Sequence, residues 1–96
     1  MKLESKYEKY IYKYGIISVL ITLEWLQYHE AYEECHEIIQ AIKGTGIDLP
    51  TVLTKEVIEE TIDELYKMTG KGNKGQTMLR YFGYATNILK EQGYEV

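Results

Sequence analysis

The segment GKGNKGQT, residues 70–77, has the residue types of a phosphate-binding loop. Gly70, Gly75 and Thr77 fit the nucleotide-binding pattern G-x-x-x-x-G-K-[ST], but Gln76 stands where that pattern requires lysine. The segment also follows an expected helix, whereas the pattern follows a strand, so we exclude a nucleoside triphosphatase of this class. Glycine-rich backbone entering a helix can still attract an anion through its N–H groups.

Two interpretations of this segment therefore stay open. It either holds a phosphate-bearing small ligand such as a nucleotide, or it is only a solvated turn in which glycines end one helix and let the next begin. The residues predicted to hold the anion are Lys71, Lys74, Gly75, Thr77 and Arg80.

The segment HEAYEECH, residues 29–36, combines histidines and carboxylates. Glu33 and His36 have the Glu-x-x-His spacing of di-metal helices, and His29 could share their helix face. The second Glu-x-x-His that such a site needs is absent, so we predict a solvated acidic helix with no metal and no other cofactor. Since no Ser-His-Asp or Cys-His arrangement can be argued either, we predict that the protein is not an enzyme.

Tyrosine is unusually abundant, with ten residues in the chain. Tyr7, Tyr10 and Tyr14 form one stripe at helical spacing, whereas Tyr12 faces away from it. These rings either cover the edge of the core or contact another molecule, because tyrosine suits interfaces. The residues predicted to contact a protein partner are Tyr7, Tyr10, Tyr14, Glu30, Glu33, Glu34 and Glu37.

The two helices on either side of the glycine segment could form a DNA-binding helix-turn-helix. Arg80, Tyr84 and Asn87 would then point outward. The connection is longer than the usual turn, and the first of the two helices is strongly acidic. These features weigh against a nucleic-acid partner.

A local similarity covers about a dozen residues, AYEECHEIIQAI. Tyr32, Glu33, Cys35 and Ile42 resemble the second helix of UVR-type helical hairpins, in which Arg-Asp is typical where Ile39-Gln40 stands here. The resemblance implies an αα-hairpin that pairs with another protein.

Composition and length predict one helical domain, residues 1–96, in a chain of net charge −4. Cys35 is the single cysteine, so no intramolecular disulfide is possible, and a reducing, cytoplasmic location fits. The apolar run GIISVLITLEWL is too short to cross a bilayer, and we predict a buried helix and no membrane association.

Apolar periodicity predicts an all-α bundle of about four helices, or three if the first two fuse. The expected helices are residues 4–27, 30–43, 54–68 and 76–92, with Thr54 or Thr51 as the N-cap of the third and Gly93 ending the fourth. Gly15 would interrupt the first of them, and a close helix contact could explain it. The last helix is expected to bury Met78, Phe82, Ala85 and Leu89. Because the tyrosines cannot all be buried in a monomer, we expect a homo-oligomer.

The leading functional hypothesis is a small non-enzymatic helical binding protein. Its size and acidity resemble those of phage or mobile-element accessory proteins that inhibit or regulate a host protein or defence system by direct binding. An oligomeric nucleotide binder or sequesterer acting at residues 70–80 is the second hypothesis, and a helix-turn-helix DNA-binding regulator is the third.

Overall fold

A computed structural model describes residues 6–47, 54–69 and 74–96, with the side chains of 68, 69 and 74–78 outside that description. All regular secondary structure in these residues is helical, which confirms the all-α prediction. The helices are α1 (Lys6–Tyr14), α2 (Ile16–Tyr28), α3 (Tyr32–Gly44), α4 (Lys55–Thr69) and α5 (Lys74–Glu91). The described residues thus hold five helices rather than four.

The expected first helix, residues 4–27, is two helices because the chain breaks at Gly15. Gly15 has φ 93° and ψ 157°, a backbone conformation that is open to glycine and costly for other residues. Its N–H still donates to the Ile11 carbonyl at 2.9 Å, and its carbonyl accepts from the Val19 N–H at 3.4 Å. A Cβ here would lie 3.8 Å from Tyr81 Cε1, an ordinary contact. The dihedral angles, and not a close helix approach, therefore require the glycine.

A tight turn at residues 29–31 separates α2 from α3, so the two do not fuse. The Ala31 N–H donates to the Leu26 carbonyl at 2.9 Å and the Glu30 N–H to the Gln27 carbonyl at 3.1 Å. This pair of bonds defines a Schellman motif. Glu30 holds its left-handed position with φ 59°, where glycine is the usual residue.

The other described helix ends use expected residues. Thr54 caps α4, since its Oγ1 accepts the Val57 N–H at 3.2 Å. Gly93, with φ 91°, ends α5, and the Tyr94 N–H donates to the Leu89 carbonyl at 3.0 Å. Both ends match the sequence prediction to within two residues.

Helix α2 is the centre of the bundle and contacts each of the other four helices. Its sequence is apolar nearly all round, as expected for a helix covered on several sides. Its buried residues are Ile17, Ser18, Val19, Leu20, Thr22, Leu23 and Leu26. The buried Ser18 and Thr22 hydroxyls each donate to a carbonyl one turn earlier, at 2.9 Å, so neither hydroxyl lacks a hydrogen-bond partner.

Helices α4 and α5 lie on either side of α2. The start of α4 is near the end of α2. Helix α5 runs in the same direction as α2, because Tyr81 lies beside Gly15 and Leu89, near the end of α5, lies beside Trp25. Among the described residues, the backbone of α4 comes close to that of α2 and of no other helix. This placement leaves a cleft between α4 and α5 with α2 as its floor.

Candidate functional site

The predicted tyrosine stripe lies mainly inside the molecule. Tyr7 is completely buried, so its ring offers no accessible surface for the predicted partner contact. Tyr10 and Tyr14 are half-buried and pack against the core, and the Tyr14 ring lies 5.3 Å from that of Tyr84. Tyr12 is 83% exposed, as expected from its position off the stripe. The stripe therefore belongs to the core and its edge.

The Tyr7 hydroxyl joins three parts of the fold. It donates to Glu34 Oε2 of α3 at 2.6 Å and lies 2.8 Å from Gln92 Oε1, just beyond α5. A phenol has one proton, so the Gln92 amide turned by 180° would donate to the phenol oxygen. Lys6 Nζ adds an ion pair to Glu34 at 3.0 Å. We call Lys6, Tyr7, Glu34 and Gln92 the Tyr7 network.

The pKa values in the Tyr7 network follow from these contacts. Burial raises the pKa of Tyr7, and the hydrogen bond to Glu34 raises it further. Burial alone would also raise the pKa of Glu34, but the bonds from Tyr7 and Lys6 outweigh it, so the Glu34 pKa is lowered. The network therefore keeps a neutral phenol against a charged carboxylate, an arrangement suited to stability.

The other predicted partner-binding carboxylates lie near this network at the surface. Glu33 and Glu37 are exposed on α3, and Glu37 Oε2 lies 3.9 Å from Lys6 Nζ. Glu30 is exposed in the turn before α3. The structure therefore leaves Glu30, Glu33 and Glu37 accessible, while Glu34 is already paired within the chain.

The predicted anion-binding residues are only partly described. Lys71 lies outside the described residues, as do the side chains of Lys74, Gly75 and Thr77, although the backbone of the last three belongs to α5. Arg80 is exposed on the second turn of that helix. The phosphate-binding hypothesis therefore stays a prediction.

The histidine–carboxylate segment divides between two elements. His29 lies in the turn after α2 and stacks on Trp25 with ring centroids 3.9 Å apart, so it does not share the helix face of Glu33 and His36. In the described parts of the chain, no group of three His, Cys, Asp or Glu residues could hold a metal ion. Cys35 is buried, and burial raises the pKa of its thiol.

The described residues agree only in part with the helix-turn-helix hypothesis. Tyr84, which was expected to face outward, is half-buried, and its ring packs against those of Tyr14 and Tyr81. Arg80 and Asn87 are exposed as expected. The described residues of α4 and α5 flank a cleft and do not form a closely packed pair.

That cleft, here called the α4–α5 cleft, is a concave surface built by three helices. Its floor on α2 consists of Ile21, Glu24 and Trp25, its α4 wall of Glu59, Ile62 and Asp63, and its α5 wall of Phe82, Ala85 and Leu89. Two hollows, of ≈ 280 and ≈ 300 Å³, are both lined by Ile21, Glu24 and Phe82. A third hollow of ≈ 490 Å³ continues from Glu24 and Trp25 toward Tyr28 and Lys55.

Large apolar side chains stay exposed along the cleft. Phe82, which the sequence pattern placed in the core, is 51% exposed and stands between two of the hollows. Leu79, one turn earlier on α5, is 70% exposed, and Tyr28 at the far end is 84% exposed. Val96 adds a further exposed apolar group beside Leu89. The cleft is thus an apolar surface that the described residues leave exposed.

Glu24 lies in the middle of this apolar surface and lines all three hollows. Burial raises its pKa, the charge of Glu59 raises it further, and Lys55 opposes both. None of the ion pairs among the described residues involves Glu24. A half-buried carboxylate beside a second carboxylate attracts a cationic group.

Sequence reasoning missed this site because its parts are ordinary in isolation. Ile21, Glu24, Trp25 and Tyr28 recur at three- and four-residue spacing, so they share one face of α2. That face differs from the rest of the helix only by carrying a glutamate and a Trp with a polar tip. A charge within the apolar segment GIISVLITLEWL was the one available signal that part of the helix stays accessible.

Comparisons with known proteins match this chain to no family model, no curated protein and no solved structure. The UVR-type resemblance thus has no support beyond the dozen residues that carry it. Within the described residues, no helix is long and apolar enough to cross a membrane.

Proposed function

We propose that this chain is a small non-enzymatic protein-binding module and that it holds a segment of its partner in the α4–α5 cleft. The observation that carries the proposal is the exposed Phe82, which stands beside Ile21 and Trp25 on a surface built by three helices. Contiguous exposed apolar surface is typical of interaction sites in small proteins.

The composition of the cleft supports a protein segment as the ligand class. Aromatic and aliphatic groups from Trp25, Phe82 and Leu89 form its centre, and carboxylates lie at its edge. Binding surfaces on proteins commonly combine an apolar centre with a polar rim. The acidic cleft is poorly suited to a nucleic acid or an anionic lipid surface, since phosphate would be repelled.

The partner surface proposed here differs from the one expected from the sequence. Tyr7 is buried and Glu34 is engaged with Lys6, so that surface is reduced to its exposed acidic members. The narrower hypothesis, inhibition of a host protein by a phage or mobile-element product, stays a prediction. The nucleotide-binding and DNA-binding alternatives also stay predictions, and no described feature favours either.

Selection from a displayed library of random peptides tests the proposal without knowledge of the partner. The bait is the whole chain, and each selected peptide is then measured against L79D/F82D and against the control Y12D, which alters an exposed apolar residue away from the cleft. We expect peptides whose affinity falls at least roughly tenfold in L79D/F82D and is unchanged in Y12D. Peptides that bind all three proteins equally would refute the cleft as the binding site.

A further inference from the structure

We propose that the occupant of the α4–α5 cleft is a basic amphipathic helix of a partner protein, laid along α2 with a Lys or Arg directed at Glu24 and Glu59. This inference rests on the proposed function and specifies the chemistry of its partner. It is carried by the shape of the cleft, by its apolar stripe and by the sign of its charge.

The shape of the cleft suits a helix. Helix α2 is covered by α1 and α3 on one side, and α4 and α5 flank the rest of it. The partly exposed stripe from Ile21 to Tyr28 extends about 10 Å along the axis, which corresponds to two helical turns. Packed helices lie about 8–10 Å apart, so a helix between α4 and α5 would complete the bundle around α2.

The apolar positions also match helix binding. Ile21 and Trp25 are one turn apart on α2, and Phe82 and Leu79 are one turn apart on α5. An amphipathic helix presents its own apolar residues at the same three- and four-residue spacing. Each of its turns could therefore contact one apolar residue of the floor and one of the α5 wall.

The charge of the cleft determines the sign of the charge that its partner must carry. The lining carboxylates of the central part are Glu24, Glu59 and Asp63, and among the described lining residues Lys55, at the far end, is the cation. The exposed face of α4 continues this charge with Glu56, Glu60 and Glu64. A helix with acidic residues at its apolar border would be repelled, whereas lysine or arginine would find Glu24 half-buried beside Glu59.

Two designed peptides test the partner's charge. Both are helical, lack Trp and carry the same apolar stripe, but the residues bordering the stripe are Lys and Arg in one and Glu in the other. Trp25 is the single Trp of the chain and lies in the floor of the cleft, so its fluorescence reports binding directly. We expect the basic peptide to bind roughly tenfold or more tightly than the acidic peptide at low salt, with the difference shrinking as salt is added.

A matched pair of variants locates the charge effect. E24Q/E59Q removes two negative charges from the cleft, and E33Q/E37Q removes two from the exposed face of α3. The preference for the basic peptide should fall to a few-fold or less in E24Q/E59Q and persist in E33Q/E37Q. If E24Q/E59Q does not fold, the salt dependence of the wild-type preference decides the question alone.

The outcomes separate this inference from the proposed function. Equal binding of both peptides, or tighter binding of the acidic one, would overturn the basic helix while leaving the cleft as a binding site. Library peptides that need Phe82 but carry neither helical pattern nor basic residues would do the same. Self-association that is abolished by L79D/F82D would make a second copy of this chain the occupant and also overturn the inference.

Discussion

The Tyr7 network and the α4–α5 cleft use similar groups with opposite results. Each has a half-buried glutamate beside large aromatic rings, Glu34 with Tyr7 in one and Glu24 with Trp25 in the other. Lys6 and Tyr7 satisfy Glu34, so its pKa is lowered despite burial. Burial raises the pKa of Glu24, and the charge of the neighbouring Glu59 raises it further.

The two regions differ in whether the described residues supply an ion pair to the half-buried glutamate. The Tyr7 network ties α1, α3 and the end of α5 together with hydrogen bonds supplied within the chain. In the cleft, the described residues leave Glu24 without an ion pair and several apolar side chains exposed. Four predictions break or sharpen this contrast, beginning with the largest expected effect.

Replacing one tyrosine on each side should separate the two regions most clearly. Tyr7→Ala removes a fully buried ring and should lower the free energy of unfolding by about 3–5 kcal/mol. Tyr28→Ala removes a ring that is 84% exposed and should change the free energy of unfolding by less than about 0.5 kcal/mol. Urea denaturation followed by circular dichroism measures both, and similar losses would contradict the assignment of Tyr28 to an open surface.

Removing only the phenol oxygen tests the hydrogen bonds of the Tyr7 network. Tyr7→Phe keeps the ring but leaves Glu34 and Gln92 without their shared partner, and should cost about 1–3 kcal/mol. Tyr12→Phe is the control, because the Tyr12 side chain is exposed and loss of its hydroxyl should leave the free energy of unfolding unchanged. A neutral Tyr7→Phe would mean that the network adds nothing to stability.

The turn that joins α2 to α3 also joins the two regions, since Trp25 precedes it and Glu34 follows it. Glu30→Gly should raise the free energy of unfolding by about 1 kcal/mol, because glycine adopts φ 59° without the steric cost that Glu30 bears. Glu33→Gly, within α3, should have the opposite sign and a similar size. Thermal unfolding of the two variants checks the pair, and a destabilised Glu30→Gly would contradict the Schellman turn.

The smallest effect is the pH dependence of the two glutamates. An unfolded glutamate titrates near a pKa of ~4.3. The Glu34 pKa is lower in the folded state, so its stabilisation is present above ~4.3 and is lost as pH falls through the folded pKa. The Glu24 pKa is higher in the folded state, so ionised Glu24 destabilises the fold at neutral pH, and stability is regained as pH falls through that raised pKa.

Two amide variants measure these opposite signs. At neutral pH, Glu34→Gln should lower the free energy of unfolding and Glu24→Gln should raise it, each by less than about 1 kcal/mol because both groups are partly exposed. Below the lowest of these pKa values, the free energies of unfolding of both variants should approach that of the wild type, since the carboxylates are then protonated. Denaturation curves over a pH series provide the check, and equal signs for the two variants would remove the contrast between the regions.

The parts of the fold that follow local rules were predictable. Apolar spacing located the helices after residue 30, and Thr54 and Gly93 marked ends that the structure confirms. The first helix was predicted wrongly because periodicity continues across Gly15, whereas the backbone there takes a conformation that only glycine adopts easily. The turn at Glu30 could not be predicted from a glycine or proline, because a glutamate takes the left-handed position there.

The site was less predictable than the fold, and the reason is geometric. Tyr7 and Phe82 were both apolar positions on amphipathic helices, yet Tyr7 is buried and Phe82 is 51% exposed. Which stripe is covered depends on how α1 and α5 are placed around α2, and each placement is a contact between residues far apart in sequence.

By itself, the sequence determined an all-helical chain with an apolar central segment, a single cysteine and strongly acidic faces, because helix periodicity and charge are local properties. The tertiary structure alone decided that Tyr7 reaches Glu34 and Gln92 and that Glu24 is left facing Glu59. Side-chain pairing across helices depends on their relative positions, and those positions are fixed by the packing of all five described helices together.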